Sequence, residues 1–358
     1  MDQNIQFYTA SDGVRIAYSL VGDGPPLVKA PNWLTHLEYE WDSPVWSHWW
    51  EELAKHYTVV RFDQRGSGLS ERSVPEQSFD IWVNDLAEIV DHLRLDQFDL
   101  LGISQGGAIS AAYLAKHSNR VKHFIGFGTY ARGRLARGES KDEIDALMTL
   151  TRAGWGKGNP AYRQMFTSRF MPGATIEQMG WFNDLQRVST SPENAAVVLE
   201  VTAHIDVLDL LGKIATPSLV LHAKDDAQVP FEQGRQFASL ISGARFVPFE
   251  GRNHLLIDSE PGWPIVLAEV LAFLQDRPVE RPEVAPAGRD GVLLAELTAR
   301  EVEVLRLVRM GYSNAEIGAE LVITSNTAAN HVKSILSKTG TANRTEAAAF
   351  AGIHGLTE

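Results

Sequence analysis

The chain has 358 residues, 44% of them hydrophobic, with a formal net charge of −12 and no cysteine. That length exceeds a typical single domain, so two or more cored domains are expected. Without cysteine there is no disulfide, thiolate metal site or cysteine nucleophile, and the acidic balance excludes a polycation, so nucleic-acid contact must come from a local patch.

No apolar run approaches transmembrane length and the N-terminus lacks a signal-peptide pattern, so a cytoplasmic location is expected. Residues 5–9 and 14–21 read as strands around the turn Ser11-Asp-Gly13. A Gly/Pro turn leads to strand Leu27–Ala30, then Pro31-Asn32-Trp33. Trp33, His36, Tyr39, Trp41, Trp46, Trp49 and Trp50 crowd the next stretch, and core packing is expected for most of them. Strand Tyr57–Phe62 meets Asp63-Gln-Arg-Gly-Ser-Gly-Leu-Ser70, which lacks the Lys-Ser/Thr of a phosphate loop and reads as structural. Residues 79–94 have helical periodicity.

A short apolar strand, Phe98–Leu101, runs into Gly102-Ile-Ser104-Gln-Gly106, and a helix-forming stretch follows. This is G-x-S-x-G between strand and helix, a turn that exposes a strained serine and aims the Gln105 amide at any oxyanion formed on it. A further strand is expected at His123–Phe127, and helices from about 131 to 212. Downstream, strand Pro217–His222 leads into Asp225-Asp226-Ala-Gln-Val-Pro230, and strand Ala244–Phe249 into Glu250-Gly-Arg-Asn-His254. Serine, acid and histidine thus sit just past strand C-termini, where sites of open α/β sheets collect.

Here the chain resembles the α/β-hydrolase family, with D-x-x-V-P on Asp226 and G-x-x-H on Gly251–His254. The resemblance implies a mostly parallel sheet with a helical cap at about 131–212. It implies Ser104 as nucleophile, His254 as general base, Asp226 as its orienter, and the amides of Trp33 and Gln105 as the oxyanion site. Asn32 departs from the family's glycine. The cap would supply a pocket of Trp155, Phe166, Phe170, Met171 and Trp181, suited to an apolar or aromatic small molecule. Arg152, Arg163 and Arg169 are expected to be solvated. No metal and no cofactor is expected.

A helix near 262–275 closes this domain, and residues 277–292, with Pro278, Pro282, Pro286 and Gly288, read as a linker between domains 1–276 and 293–358. Thr298-x-x-Glu301, Ser313-x-x-Glu316 and Asn343-x-x-Glu346 have capping-box form, and a further helix begins near Thr324. Helices at 299–310, at 314–321, from Thr324 and from Asn343 would make an all-α unit containing a helix-turn-helix. Leu297-Thr-x-Arg300-Glu, Gly311-Tyr-Ser-Asn314-x-Glu-Ile317, Thr327-x-x-x-His331-Val-x-x-Ile335 and Asn343-Arg-Thr-Glu-Ala347 resemble the LuxR/GerE-type four-helix DNA-binding domain. That resemblance places Ala329, Asn330 and Lys333 at bases and Ser325, Thr327, Lys338 and Arg344 at phosphates of double-stranded DNA. Residues 321–345 hold Lys333, Lys338 and Arg344 and no acid. The expectation is a ligand-sensing transcription regulator, acting as a homodimer through Ala347, Ala348 and Ala351 and perhaps addressing RNA polymerase. The alternative is a serine hydrolase (esterase, lactonase or C–C hydrolase) with an accessory DNA-binding domain. A third reading joins them: the sensor turns over its ligand.

Overall fold

The computed structural model describes residues 3–279, 297–339, 341 and 343–353. The chain divides into two compact units, residues 1–280 and 281–358. Of the expected linker 277–292, residues 280–292 lie outside the described residues. Among the described residues no helix is long and apolar enough to cross a membrane.

The first unit is built on one sheet in the order β1-β2-β4-β3-β5-β6-β7-β8. Its strands are β1 Asn4–Thr9, β2 Arg15–Val21, β3 Pro26–Ala30, β4 Thr58–Phe62, β5 Phe98–Ile103, β6 Val121–Phe127, β7 Ser218–Ala223 and β8 Arg245–Phe249. β1 pairs antiparallel with β2, and β2 with β4; every other pairing is parallel. The central strands β5 and β7 are buried along their whole length. Continuous apolar sequence is what a parallel strand covered on both faces requires.

Short helices α1 Leu37–Trp41 and α2 Ser47–Ala54 carry most of the tryptophans. Trp46, Trp49 and Trp50 are buried in the core, as their spacing predicts. Helices α3 Phe79–His92 and α4 Gln105–His117 flank the sheet. The cap leaves after β6 as α5 Lys141–Gly154, α6 Ala161–Phe170, α7 Ile176–Ser189 and α8 Pro192–His204, followed by the single turn α9 Leu208–Leu211. An antiparallel bridge between Arg132 and Asp206 closes its neck. Helices α10 Phe231–Ser239 and α11 Gly262–Leu274 complete the unit.

The turn Asp63–Ser70 is structural. Asp63 accepts from the amides of Leu37 (3.2 Å) and Leu69 (2.8 Å), and Arg65 forms a two-pronged ion pair with Asp85 at 2.8 and 2.6 Å. Gly68 has φ +58, and a Cβ there would stand 2.1 Å from the Asp63 carboxylate. No other residue fits that turn.

The second unit holds α12 Ala299–Arg309, α13 Asn314–Glu320, α14 Ser325–Thr339 and α15 Arg344–Ile353. Both full capping boxes form, at Thr298/Glu301 and Ser313/Glu316. At Asn343 the second bond is made by the asparagine amide instead, Nδ2 donating to Glu346 at 2.7 Å. The apolar faces meet in a small core of Leu297, Val304, Leu305, Ile317, Ala328 and Ile335. Ala347 and Ala351 are buried in that same core and Ala348 packs against it. The small apolar face expected to be a dimer contact is therefore consumed inside the unit, because α15 needs it to cover α12.

Candidate functional site

Ser104 sits between β5 and α4 with φ 54 and ψ −123, a conformation an L-residue adopts only under constraint. Three contacts impose it. The Ser104 amide donates to the Phe127 carbonyl at 2.9 Å, its carbonyl accepts from the Thr129 hydroxyl at 3.0 Å, and a Cβ on Gly107 would lie 1.8 Å from that hydroxyl. Close approach at Gly107 and strain at Ser104 present the hydroxyl at the head of a helix.

Asp226 and His254 come from the loops after β7 and β8. Backbone bonds Asp225 N to Gly251 O (3.0 Å) and Ala227 N to Arg252 O (3.2 Å) tie those loops together. His254 Nδ1 lies 2.7 Å from Asp226 Oδ2, while the other carboxylate oxygen accepts from the amides of Gln228 (2.9 Å) and Val229 (2.8 Å). Burial pushes the Asp226 carboxyl up; the His254 imidazole and the Val229 amide outweigh it and hold it below the usual carboxylate range. His222, which sequence reasoning took only as a strand residue, stands 3.5 Å from Asp226 on its far side and 3.0 Å from the Val229 carbonyl. Burial holds its pKa down.

His254 Nε2 is buried without a hydrogen-bond partner among the described residues. Its ring borders the C-terminus of β6: a Cβ on Gly128, φ +55, would meet His254 Cε1 at 3.0 Å. Ser104 is bonded to Phe127, the residue before. Serine and imidazole are thus brought to one strand end, with a nitrogen left to take a proton. Gly128 escaped notice because nothing around it in sequence signals that contact.

A cavity of about 60 Å³ contains Ser104, Trp33 and Gln105 in its wall together with Phe166 and Phe170 of the cap. Trp33 stacks near-parallel on Phe166 (6.1 Å) and Phe170 (6.5 Å). The cap also holds the histidine loop: the Phe170 carbonyl accepts from His254 N at 2.8 Å and Gly173 N donates to Asn253 at 2.7 Å. Three expected pocket residues lie elsewhere. Trp155 is behind the wall, edge-on to Trp33; Met171 is core; Trp181 stacks on Tyr39 at 5.2 Å. Helical periodicity marks a buried face but not which buried face meets a void. Tyr130, Ile144, Leu147 and Leu199 line the cavity instead.

Asn32, where the family has glycine, accepts a hydrogen bond from the buried Lys29 ammonium. Burial lowers the Lys29 pKa to about 8. The side chain of Gln105 is likewise committed, donating to Gln64 at 2.9 Å, so only its backbone is available to the cavity. Of the cap arginines, Arg163 is not solvated: it is buried, donating to the carbonyls of Asn183, Trp155 and Lys157 at 2.6–2.8 Å. Arg152 is exposed and Arg169 half-buried.

On α14 the exposed face carries Ser325, Thr327, Asn330 and Lys333, with Ala329 half-buried at its edge. Lys338 and Arg344, expected at phosphates, are committed inside the unit. Lys338 binds Glu301 at 2.7 and 3.0 Å, and Arg344 donates to Asn314 at 3.0 Å and to the Tyr312 carbonyl. Their spacing from the exposed face could not reveal that Glu301, 37 residues before Lys338, lies within reach.

The family profile described as alpha/beta hydrolase fold matches residues 39–169, and that of the bacterial regulatory proteins of the luxR family matches residues 295–351. A non-heme haloperoxidase of Rhodococcus erythropolis is 27% identical over 75% of this chain and 99% of its own. A bifunctional esterase/perhydrolase of Acinetobacter calcoaceticus is 24% identical over 75% and 99%. Among solved structures, an esterase from Exiguobacterium antarcticum superposes with a TM-score of 0.64 at 25% identity, covering 75% of this chain and 99% of that one. The enol-lactonase of Burkholderia xenovorans shares the fold at 23% identity and a TM-score of 0.63. The chain joins an α/β-hydrolase-fold domain to a C-terminal helix-turn-helix domain of the LuxR family.

Proposed function

We propose that this protein is a DNA-binding transcription regulator whose hydrolase-fold domain binds a small molecule in the cavity beside Ser104. The observation that supports it is the pairing, in one chain, of an apolar cavity at a strained serine with a helix whose exposed face is polar and free of acid. Ser104, His254 and Asp226 are nucleophile, base and orienter, with the amides of Trp33 and Gln105 as oxyanion donors. Asn330 and Lys333 reach base edges; Ser325 and Thr327 hold phosphates at the head of α14. The protein works in the compartment that holds its DNA, as a homodimer on paired half-sites, because one short domain with few free cations makes a weak phosphate clamp.

The test couples the two sites. DNA is first selected from a random-sequence pool with the purified chain. Fluorophosphonate occupancy of Ser104 is expected to change the apparent affinity for that DNA by about fivefold or more. Ser104→Ala, which the reagent cannot modify, should not respond. DNA binding indifferent to the reagent would sink the regulator reading. It would favour the second one, a serine hydrolase carrying an accessory DNA-binding domain, which the enzymes among its relatives support.

Lys333→Ala is expected to cost about 1–3 kcal/mol at one base pair and to relax the preference there without lowering thermal stability. Site selection with both proteins reads this out. An equal loss on every sequence would place Lys333 at a phosphate.

A further inference from the structure

The cavity wall is not uniformly apolar. Arg134 and Arg137, from the neck between β6 and α5, and Arg169, from the last turn of α6, line it together with Ser104. No acidic residue lines it. Glu139 stands outside the wall and answers the first two, 2.6 Å from Arg134 Nε and 3.4 Å from Arg137 Nη2. Three guanidinium groups against one carboxylate leave a local charge of +2 in a chain whose net charge is −12.

Arg169 makes the imbalance specific. It is half-buried, yet it donates no hydrogen bond and forms no ion pair among the described residues. Arg163, two turns earlier on the same helix, shows what an arginine with a structural task looks like here, with donors on three backbone carbonyls. Burial, then the neighbouring Arg134, disfavours the charge on Arg169. A guanidinium withdrawn from water and pressed toward its like is costly unless an anion offsets it. Its planar fork matches a carboxylate.

We infer that the ligand of the Ser104 cavity is a small carboxylate with an apolar or aromatic body, its anionic group held by Arg169 with Arg134 and Arg137. This rests on reading the cavity as a ligand site and adds the chemical class. The apolar wall of Trp33, Phe166, Phe170 and Leu199 takes the body. If the ligand is also a substrate, it is an ester or lactone that carries a second, free carboxylate.

Calorimetry with two isosteres tests this on the full chain: 3-phenylpropionate and 3-phenylpropionamide. The carboxylate is expected to bind about tenfold more tightly than the amide. Arg169→Gln should abolish that preference while leaving amide affinity unchanged. Glu139→Gln, which frees Arg134 and Arg137, should tighten the carboxylate severalfold and the amide not at all. Equal binding of both probes to the wild type, or a preference that survives Arg169→Gln, overturns the carboxylate assignment and leaves the ligand site standing. Binding of neither probe overturns both.

Discussion

Replacing His254 with alanine is expected to slow fluorophosphonate labelling of Ser104 by about a thousandfold or more. A serine hydroxyl is a poor nucleophile until a base takes its proton. In this chain the base is in place: Nδ1 is fixed at 2.7 Å from Asp226, and Nε2 is buried with nothing else to bind among the described residues. Asp226→Asn should lose most of the rate too, because an amide can present the wrong group to Nδ1 and reverse the tautomer. Gly128→Ala should weaken labelling by a smaller factor, since the added methyl crowds His254 Cε1 at a backbone φ of +55. Circular dichroism must show each variant folded. Labelling of wild type no faster than of the His254→Ala protein would reduce the triad to a feature of the cavity wall.

Glu301→Ala should lower the melting temperature of the second unit by about 12–24 °C, a loss of roughly 3 kcal/mol in a small domain. The Glu301 side chain is only 5% exposed. It accepts from Thr298 N at 2.7 Å, from the Ser334 hydroxyl at 2.6 Å and from Lys338, so it clamps the start of α12 to the C-terminal half of α14. Removing it strands a lysine and a hydroxyl, whereas Lys338→Met removes one partner and leaves two, at lower cost. DNA affinity of Glu301→Ala should fall on every sequence as the unit melts, in contrast to Lys333→Ala.

The same clamp sets an acid limit. Burial alone would raise the Glu301 carboxyl; Lys338, Ser334 and Thr298 overcome it and hold the pKa at about 2, from an ordinary 4.5. Folding favours the ionised form, so the contribution is complete above about pH 4.5 and fades as pH falls toward 2. Calorimetry of the full chain between pH 6 and 3 should show the second transition descending in this window, and in Glu301→Ala it should not. A wild-type transition that stays level would mean the clamp adds no net stability.

Local chemistry made much of this readable in the sequence. Strand–G-x-S-x-G–helix is a self-contained instruction, because strain at Ser104 and room at its glycines depend on neighbours a few residues away. Asp226 and His254 follow strands whose apolar runs announce them, and the capping boxes mark helix starts through bonds that span three residues. What only the tertiary structure decided is where a side chain ends when its partner is remote. Trp155, Phe170 and Met171 all read as apolar cap positions, yet only Phe170 reaches the cavity, since periodicity gives a face and not its neighbour. Lys338 and Arg344 read as free cations because charge segregation is local, while Glu301 and the Tyr312 carbonyl that bind them are brought by the packing of helices. Arg169 read as solvated, and the fold placed it with Arg134 and Arg137 around one void. A sequence fixes what bonds each side chain can make; packing alone determines which partners are within reach.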